Sequence, residues 1–537
     1  MMLRRTVVAG ALMALALVGC KRSDANAKEA GGKASARGGG PAVSGQGVLL
    51  AEGPAEDLRV TEDGQYATFL QKTHKPIVEG IPPQLRLGTL YGVQVTGGTP
   101  RKLGEGVTNF PGGQLFTPDS KHVLYLTGYN VSAQAGVLQV LGLTDPTAEP
   151  QKLGDAVTYF LPSPDGTKLA FVDGGVLKLG ALPTGPFRQV AGEVSTAGFS
   201  PDGTTLFFKR KLAAAGGLLA VPVESPPGKP TEPLKLADQV GDYVVSADSK
   251  HVAYQVRNTT TRGTYDLYVA DLPALKGRKV ASSTTAFTFS PDSKWLARND
   301  GLNPEVPGDL YVGPASGEPG RKLGERVKDI AFSPDSKAVG FLSKYDEPAS
   351  SGLMSVAVLP DGAPKEVAGR VPNFTWSKDG KYVAFPKRFL KPIYSVDLML
   401  YQVGAEKAEK AHPGVFGYGF LPESSALVFR SGCIREGRAC DLKALTLPKT
   451  EQAEPQTWLQ GIYTYKFSED GGRLLVTSAR MDSDTYDVAV YDVKTQARKT
   501  LDQGAQVPAH FAGPDDSLAV YVLKGANAGV YVAPAKP

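Results

Sequence analysis

The three cysteines are the residues of this sequence with the most specific chemistry. Cys20 ends an apolar stretch that follows the basic start MMLRR, and this order is typical of a secretion signal. Cys433 and Cys440 lie together in CIREGRAC, where we expect a disulfide that closes a small loop, with two free thiols as the alternative. The spacing and the lack of histidine partners do not suit a zinc site.

The other candidate catalytic or metal-binding residues give little support for chemistry. The histidines lie far apart in the chain, at His74, His122, His251, His412 and His510. The acidic run MDSDTYD, with Asp482, Asp484 and Asp487, lacks the glycine and distal glutamate of a calcium loop, so we interpret it as a polar loop. No G-x-S-x-G nucleophile turn occurs. We therefore expect no catalytic residue, no metal and no cofactor.

A short repeat dominates the rest of the chain. The stretch AFSPDSKAVGFL (331–342) is one of eleven similar copies at a mean spacing of about 45 residues, around Asp63, Asp119, Asp165, Asp202, Asp248, Asp292, Asp335, Asp379, Glu423, Asp470 and Asp515. Proline, aspartate and glycine between two apolar runs predict a tight hairpin. Four copies carry serine after the acid, at Ser120, Ser249, Ser293 and Ser336. A left-handed backbone there would cost about 1 kcal/mol each; the alternative is a different turn.

Each repeat continues with strand-like segments, such as TYDLYVADL (264–272) and then GRKVASST. Four antiparallel strands in about 45 residues form one blade of a β-propeller, so we expect an all-β fold. The phrase F-S-P-D-G-K-x-L-A-F resembles the TolB-type propeller repeat, which also occurs in prolyl-oligopeptidase-like enzymes. The resemblance runs from about residue 47 onward and implies the fold. The chain shows neither the α/β domain that precedes the propeller in TolB nor the hydrolase domain of the peptidases.

About eleven four-stranded blades exceed the four to eight of a usual ring. We therefore expect two tandem propellers, over residues 47–282 and 283–537. The segment GVLLAEG (47–53) looks like a fourth strand without the preceding three, while the last repeat stops after its third strand at 529–535. If GVLLAEG is the fourth strand of the last blade, two arrangements are possible. Either the two predicted propellers are not independent of each other, or all the blades form one large ring.

The N-terminal residues predict membrane attachment. Leu17, Val18, Gly19 and Cys20 resemble the signal of bacterial lipoproteins, which implies that residues 1–20 are a signal peptide and that Cys20 carries lipid. Lys21, in place of aspartate, implies the outer membrane. Residues 21–46 contain no aromatic residue and predict a disordered tether.

The charge distribution argues against nucleic acid as a partner. The formal net charge is +5, but the basic excess lies in the signal and the tether, so the remainder is close to neutral.

The longest insertions fall between the second and third strands of the repeats, in 71–88, 256–263, 343–352, 386–392 and 431–441. In a propeller these loops share the face opposite the S-P-D-G hairpins. Residue types favoured in interfaces occur there, at Arg257, Tyr345, Arg388, Phe389, Arg435 and Arg438. The sequence therefore predicts a non-catalytic scaffold that binds envelope proteins through this face. The alternative interpretation of these loops is that they are solvated insertions with no role in binding. A small-ligand binder or a lyase- or lactonase-like funnel enzyme is the alternative for the function.

Overall fold

A computed structural model describes residues 47–537 except 79, 211–215, 225–231, 262, 302–305, 391–394, 435–438, 451–452 and 480–484. The predicted signal, the lipidation at Cys20 and the tether lie outside the described residues, as do Arg435, Arg438, Asp482 and Asp484. Residues 45–537 form one compact unit. Among the described residues, no helix has the length and apolar character needed to span a bilayer.

The described part of the chain is built from antiparallel strands, with two short 3-10 turns at Pro514–Asp516 and Gly525–Asn527. Strand pairing divides it into four-stranded units, which we call blades, with strands A to D in chain order within each. Blade 1 contains β2 (Ala55–Val60), β3 (Tyr66–His74), β4 (Leu87–Gln94) and β5 (Arg101–Thr108). Blade 2 contains β6 (Gln114–Phe116), β7 (His122–Asn130), β8 (Ala135–Gly142) and the first half of β9 (Gln151–Pro162). Blade 3 contains the second half of β9, β10 (Lys168–Asp173), β11 (Val176–Ala181) and β12 (Phe187–Ala191).

The next four blades are separate four-stranded sheets. Blade 4 contains β13 (Val194–Phe199), β14 (Thr205–Arg210), β15 (Leu218–Pro222) and β16 (Leu234–Ala237). Blade 5 contains β17 (Val240–Val245), β18 (His251–Arg257), β19 (Tyr265–Asp271) and β20 (Gly277–Ala281). Blade 6 contains β21 (Phe287–Phe289), β22 (Trp295–Asp300), β23 (Asp309–Pro314) and β24 (Arg321–Gly324). Blade 7 contains β25 (Ile330–Phe332), β26 (Ala338–Asp346), β27 (Ser351–Val358) and β28 (Lys365–Val371).

In the last four blades, long strands again pass from one blade into the next. Blade 8 contains β29 (Thr375–Trp376), β30 (Tyr382–Leu390), β31 (Ser395–Gln402) and the first half of β32 (Glu409–Phe420). Blade 9 contains the rest of β32, β33 (Ala426–Ile434), β34 (Ala439–Thr446) and the first half of β35 (Gln456–Phe467). Blade 10 contains the rest of β35, β36 (Arg473–Ala479), β37 (Tyr486–Asp492) and β38 (Arg498–Ala505). Blade 11 contains β39 (His510–Ala512), β40 (Leu518–Leu523), β41 (Gly529–Pro534) and β1 (Val48–Glu52).

The repeated acidic residue forms the turn between strands A and B. In blade 7, the hydroxyl of Ser333 donates to the Asp335 carboxylate at 2.6 Å, and the backbone N–H of Lys337 donates to the same oxygen at 3.2 Å. The Ser333 hydroxyl also accepts the backbone N–H of Ala338 at 2.9 Å. These bonds satisfy the polar groups of the turn locally, as the sequence predicts.

Serine replaces glycine in some of these turns without changing the backbone. Ser120, Ser249, Ser293 and Ser336 have φ between 57° and 61°, the left-handed region. Each hydroxyl accepts a hydrogen bond from the backbone N–H of the acidic residue in the preceding blade. For example, Asp292 donates to Ser336 at 3.0 Å. Ser424, with φ of 60°, accepts from Asp379 in the same way at 3.1 Å. An inter-blade hydrogen bond therefore offsets the strain of the left-handed serine.

At residue 380, the preceding blade approaches the hairpin closely. A Cβ atom on Gly380 would lie 2.4 Å from the Asp335 carboxylate of blade 7. Since so short a distance is a steric clash, a side chain at residue 380 would require the Asp335 carboxylate to move.

Every blade packs on the blades before and after it in the chain. One hydrophobic cluster contains Ala253 and Leu267 of blade 5 together with Phe289 and Leu296 of blade 6, on either side of residue 282. Similar clusters join other pairs of neighbouring blades. The predicted boundary at residues 282 and 283 falls between blades 5 and 6, and buried side chains of these two blades share one core there.

The first strand completes the last blade, and this prediction is confirmed. β1 pairs with β41, with Val48 opposite Val532 and Glu52 opposite Gly529. Blade 11 then packs on blade 1, since Val520 and Val522 share a cluster with Phe69. The contacts between successive blades thus return to blade 1, as in a β-propeller, and each described blade has a packed neighbour on both of its faces.

Candidate functional site

The two faces of the arrangement carry different connections. The hairpin face carries the A–B turns with their acidic residues and serines. The opposite face, which we call the B–C face, carries the connections between strands B and C and those from strand D to the next strand A. Because loops on a rigid scaffold are the usual place for binding residues, the B–C face is the candidate site.

Two of the predicted interface residues can be described in full. Arg257 is exposed at the end of β18, where its backbone N–H donates to Gln239 O at 3.0 Å. Tyr345 is half-buried at the end of β26, with the Lys328 ammonium 4.6 Å above its ring. The Glu347 carboxylate pairs with that ammonium at 2.7 Å. The contacts among Lys328, Tyr345 and Glu347 thus link the connection between blades 6 and 7 to the B–C loop of blade 7.

Of the remaining predicted residues, the structure describes only the backbone of Arg388 and Phe389. Arg388 and Phe389 lie in β30, where Phe389 pairs with Val396, but their side chains are not described. Arg435 and Arg438 fall outside the described residues. The two candidates whose side chains are described, Arg257 and Tyr345, lie on blades 5 and 7, which are separated by blade 6.

The predicted disulfide between Cys433 and Cys440 is confirmed. It links β33 to β34 across the B–C hairpin of blade 9, next to the pair formed by Ile434 and Ala439. A covalent link at this point holds the adjoining ends of β33 and β34 together.

Exposed aliphatic residues on the B–C face were not predicted. Ile77 is fully exposed, and Val78, Val306 and Ile434 are also exposed. These make up four of the eight exposed large hydrophobic residues among those described; the others lie on outer strands or at the end of β27. The apolar residues of KPIVEGIPPQ within a loop between two strands were the available sequence signal.

Aromatic side chains add a second feature to the B–C face. The rings of Tyr463, where β35 passes between blades, and Tyr486, at the start of β37, stack with centroids 4.7 Å apart. Both are partly exposed. Stacked tyrosines offer apolar area together with hydroxyl groups, a combination common in protein interfaces.

Four polar side chains of strand B tie their blades to the next one. The Gln255 amide donates to Thr284 O at 2.6 Å, and the Asn299 amide donates to Val327 O at 3.3 Å. Lys209 and Arg430 donate to Gly241 O and Tyr463 O from the same position in their own blades. These bonds fix the connections on the B–C face, and aligning strand B across the repeats would have revealed them.

A cavity of about 740 Å³ opens where blade 11 meets blade 1. Its lining includes Glu52, Glu56, Lys72, Gln506 and Lys524. The charges of both signs in the lining favour neither an anion nor a cation.

The histidines do not converge on a site. His251 lies at the start of β18, with its ring nitrogen Nδ1 2.8 Å from the Asp271 carboxylate. His510 lies in β39, where burial, followed by the positive charge of Lys466, lowers its pKa to about 4. Within the described part of the chain, no three histidine, cysteine, aspartate or glutamate residues are grouped so that they could hold a metal ion.

Comparisons with known proteins identify similar folds only. No family model matches the chain, and no curated protein matches its sequence significantly. A eukaryotic initiation factor is similar in structure at 12% identity, over 77% of this chain and 93% of that one, with a TM-score of 0.44. Tricorn protease is similar at 12% identity over 90% of this chain and 61% of its own, with a TM-score of 0.29. TolB from Acinetobacter baumannii is similar at 15% identity, over 56% of this chain and 80% of its own, with a TM-score of 0.25. These values give no information on the function of this chain.

Proposed function

We propose that this protein is a non-catalytic β-propeller scaffold that binds a protein partner through its B–C face. The observation that carries the proposal is the difference between the two faces. Short turns on the hairpin face are closed by bonds within and between blades. The B–C face instead bears the exposed residues Ile77, Val78, Val306 and Ile434. Exposed aliphatic and aromatic groups on a rigid framework are suited to a protein interface.

The proposed scaffold is a single ring of eleven blades and not two tandem propellers. Supporting it are the shared core at residue 282 and the core that joins blade 11 to blade 1. A ring of this size gives a broad B–C face, on which contacts from several blades act together on one large partner.

The partner-binding proposal can be tested with matched variants on the two faces. Ile77→Asp combined with Val78→Asp, and separately Arg257→Glu combined with Tyr345→Ala, change the B–C face at exposed or half-buried side chains. Lys337→Glu combined with Lys381→Glu changes the hairpin face, where these side chains are 81% and 73% exposed. A partner is first identified by cross-linking in cells, and its binding to each purified variant is then measured.

We expect the B–C variants to bind the partner at least about tenfold more weakly, since interface anchors each contribute more than 1 kcal/mol. The hairpin-face variant should bind like the unmodified protein, and the unfolding temperatures of this variant and of the Ile77 and Val78 variant should agree closely with that of the unmodified protein. Equal binding by both sets would contradict the assignment of the face.

We also propose that Cys20 carries lipid and holds the protein at the outer membrane through residues 21–46. The support is the signal-like N-terminus, together with the Cys433–Cys440 disulfide, since disulfides persist in oxidising compartments. Cys20→Ser should abolish incorporation of a labelled fatty acid and release the protein from the membrane fraction, whereas Cys433→Ser should not. Labelling that survives Cys20→Ser would refute the anchor.

A further inference from the structure

The cavity between blades 11 and 1 is built from parts of the chain that are far apart in sequence. Its volume is about 740 Å³, and its lining residues lie on the B–C face. One wall is the connection 52–56, which leads from β1 of blade 11 into β2 of blade 1. The others are the end of β3, the B–C loop of blade 11, and Gln506 of the connection between blades 10 and 11. The cavity therefore exists only when the last and the first blades are joined.

Hydrogen bonds between these segments hold the walls in place. The side-chain amide of Gln71 donates to Glu52 O at 2.8 Å, and that of Gln506 donates to Ala55 O at 3.3 Å. The connection 52–56 is thus fixed at two points, so the cavity is formed before a ligand arrives. The side-chain oxygens of both glutamines accept no hydrogen bond from the described residues and remain available as acceptors.

The charged residues of the lining are separated by sign. Glu52 and Glu56 both belong to the connection 52–56, whereas Lys72 lies near the end of β3 and Lys524 begins the B–C loop of blade 11. All four residues are exposed, and in the described part of the chain none of them forms an ion pair. The acidic and the basic groups therefore stay available to a ligand at different places in one cavity.

This arrangement suits a ligand that carries both charges but no net charge. Two carboxylates and two ammonium groups sum to zero, so a simple anion or cation is attracted by one pair and repelled by the other. A zwitterion can place its ammonium group at the acidic connection and its carboxylate at the lysines. Both of its charges then form charge-assisted hydrogen bonds.

The size of the cavity and the glutamine oxygens distinguish among zwitterions. A volume of about 740 Å³ corresponds to a sphere about 11 Å across, and three extended residues span at most about 10 to 11 Å. A free amino acid spans only about a third of that length. The side-chain oxygens of Gln71 and Gln506 are suited to accept the N–H groups of a peptide main chain.

We propose that this cavity binds a short peptide of about three residues with free ends. Glu52 and Glu56 hold its terminal ammonium group, Lys72 and Lys524 hold its terminal carboxylate, and the glutamine oxygens accept its main-chain N–H groups. Because the peptide contacts blades 11 and 1 together, its binding stabilises the junction between them. The site goes beyond the scaffold function, since the partner-binding variants leave the cavity lining unchanged, and either proposal can fail without the other.

The peptide and the protein can be changed in matched pairs. The probes are trialanine, N-acetyl-trialanine, which lacks the ammonium charge, and trialanine amide, which lacks the carboxylate charge. Free alanine and glycerophosphoethanolamine, the zwitterionic part of a lipid, are the other two probes. The acidic variant combines Glu52→Gln with Glu56→Gln, and the basic variant combines Lys72→Gln with Lys524→Gln.

Two control variants remove the same charges from the hairpin face. One combines Glu62→Gln with Glu423→Gln, and the other combines Lys337→Gln with Lys381→Gln, all at exposed positions of the A–B turns. Isothermal titration calorimetry with the purified full chain gives the dissociation constant of each probe for each protein.

We expect trialanine to bind the unmodified protein saturably, and free alanine and glycerophosphoethanolamine to bind at least about tenfold more weakly. Acetylation and amidation of trialanine should each weaken binding at least about tenfold, because a charge-assisted contact is lost. In the acidic variant acetylation should have no further effect, and in the basic variant amidation should have none. A merely structural defect would weaken all peptides and leave these differences in place. The control variants should bind like the unmodified protein.

Three results would overturn the proposal. One is the absence of saturable trialanine binding. Another is equal or tighter binding of free alanine or glycerophosphoethanolamine, which would assign the cavity to a different zwitterion. The third is an effect of acetylation that persists in the acidic variant, or of amidation in the basic variant, since the charged ends of the peptide would then lie elsewhere.

Discussion

The left-handed serines of the hairpin face accept hydrogen bonds from the preceding blade. Substituting them tests how much these bonds contribute to the stability of the protein. Ser336 is 5% exposed, has φ of 60° and accepts the backbone N–H of Asp292 from the preceding blade at 3.0 Å. Its replacement by alanine removes the hydrogen bond but keeps the left-handed strain. Its replacement by glycine removes both.

The two substitutions should therefore differ in free energy of unfolding. A hydrogen bond of this kind contributes about 1 kcal/mol, and a left-handed non-glycine residue costs about 1 kcal/mol. Ser336→Ala should destabilise the protein by about 1 kcal/mol. Ser336→Gly should stay within about 0.5 to 1 kcal/mol of the original, since relief of strain offsets the lost bond and the added flexibility of the unfolded chain.

The effect becomes easier to measure when the five serines of known geometry change together. Ser120, Ser249, Ser293, Ser336 and Ser424 lie on different blades, so their effects should add. The fivefold alanine variant should lose about 5 kcal/mol, and the fivefold glycine variant should lose much less. Urea unfolding followed by tyrosine fluorescence and by circular dichroism measures both variants. Equal midpoints for the alanine and glycine sets would refute the reasoning.

Two further predictions concern buried polar groups. Asn299→Ala should destabilise the protein by about 3 kcal/mol, because the N–H groups of Thr285 and Ala286 lose their common acceptor; an unchanged unfolding temperature would contradict this. His510 has its pKa lowered to about 4, so the unfolded chain takes up a proton first as the pH falls from about 6.5. Stability should therefore fall between about pH 6.5 and pH 4. His510→Gln should reduce that loss in urea unfolding at pH 7 and pH 5, and an identical pH dependence in both proteins would exclude the histidine as its source.

Much of the local structure could be predicted because the repeat specifies it within a few residues. The Ser333–Asp335 turn depends on side chains two residues apart, and the segment 264–272 became β19 (Tyr265–Asp271). The Cys433–Cys440 disulfide could be predicted because seven positions separate the cysteines in one hairpin. Each of these features needs only short-range information.

The candidate site was less accessible from the sequence. Arg257 and Tyr345 were selected by residue type and loop position, and their placement on the B–C face follows from strand order. The contact between Lys328 and Tyr345 was not predictable, because these residues are seventeen positions apart and meet only across a connection and a loop. The cavity between blades 11 and 1 likewise depends on residues far apart in sequence, such as Gln506 and Ala55, which meet only when these blades pack together.

The sequence by itself determined the repeating unit, because turn chemistry and alternating apolar residues act over about ten residues. It also indicated that the first strand could complete the last blade, since the last repeat stops after its third strand and GVLLAEG (47–53) resembles a fourth strand without the other three. Only the tertiary structure decided how the blades are grouped. The angle between neighbouring blades depends on side chains from both blades, such as Leu267 of blade 5 and Phe289 of blade 6. No single repeat contains that information, so the continuous packing across residue 282 became visible only when all the blades were in place.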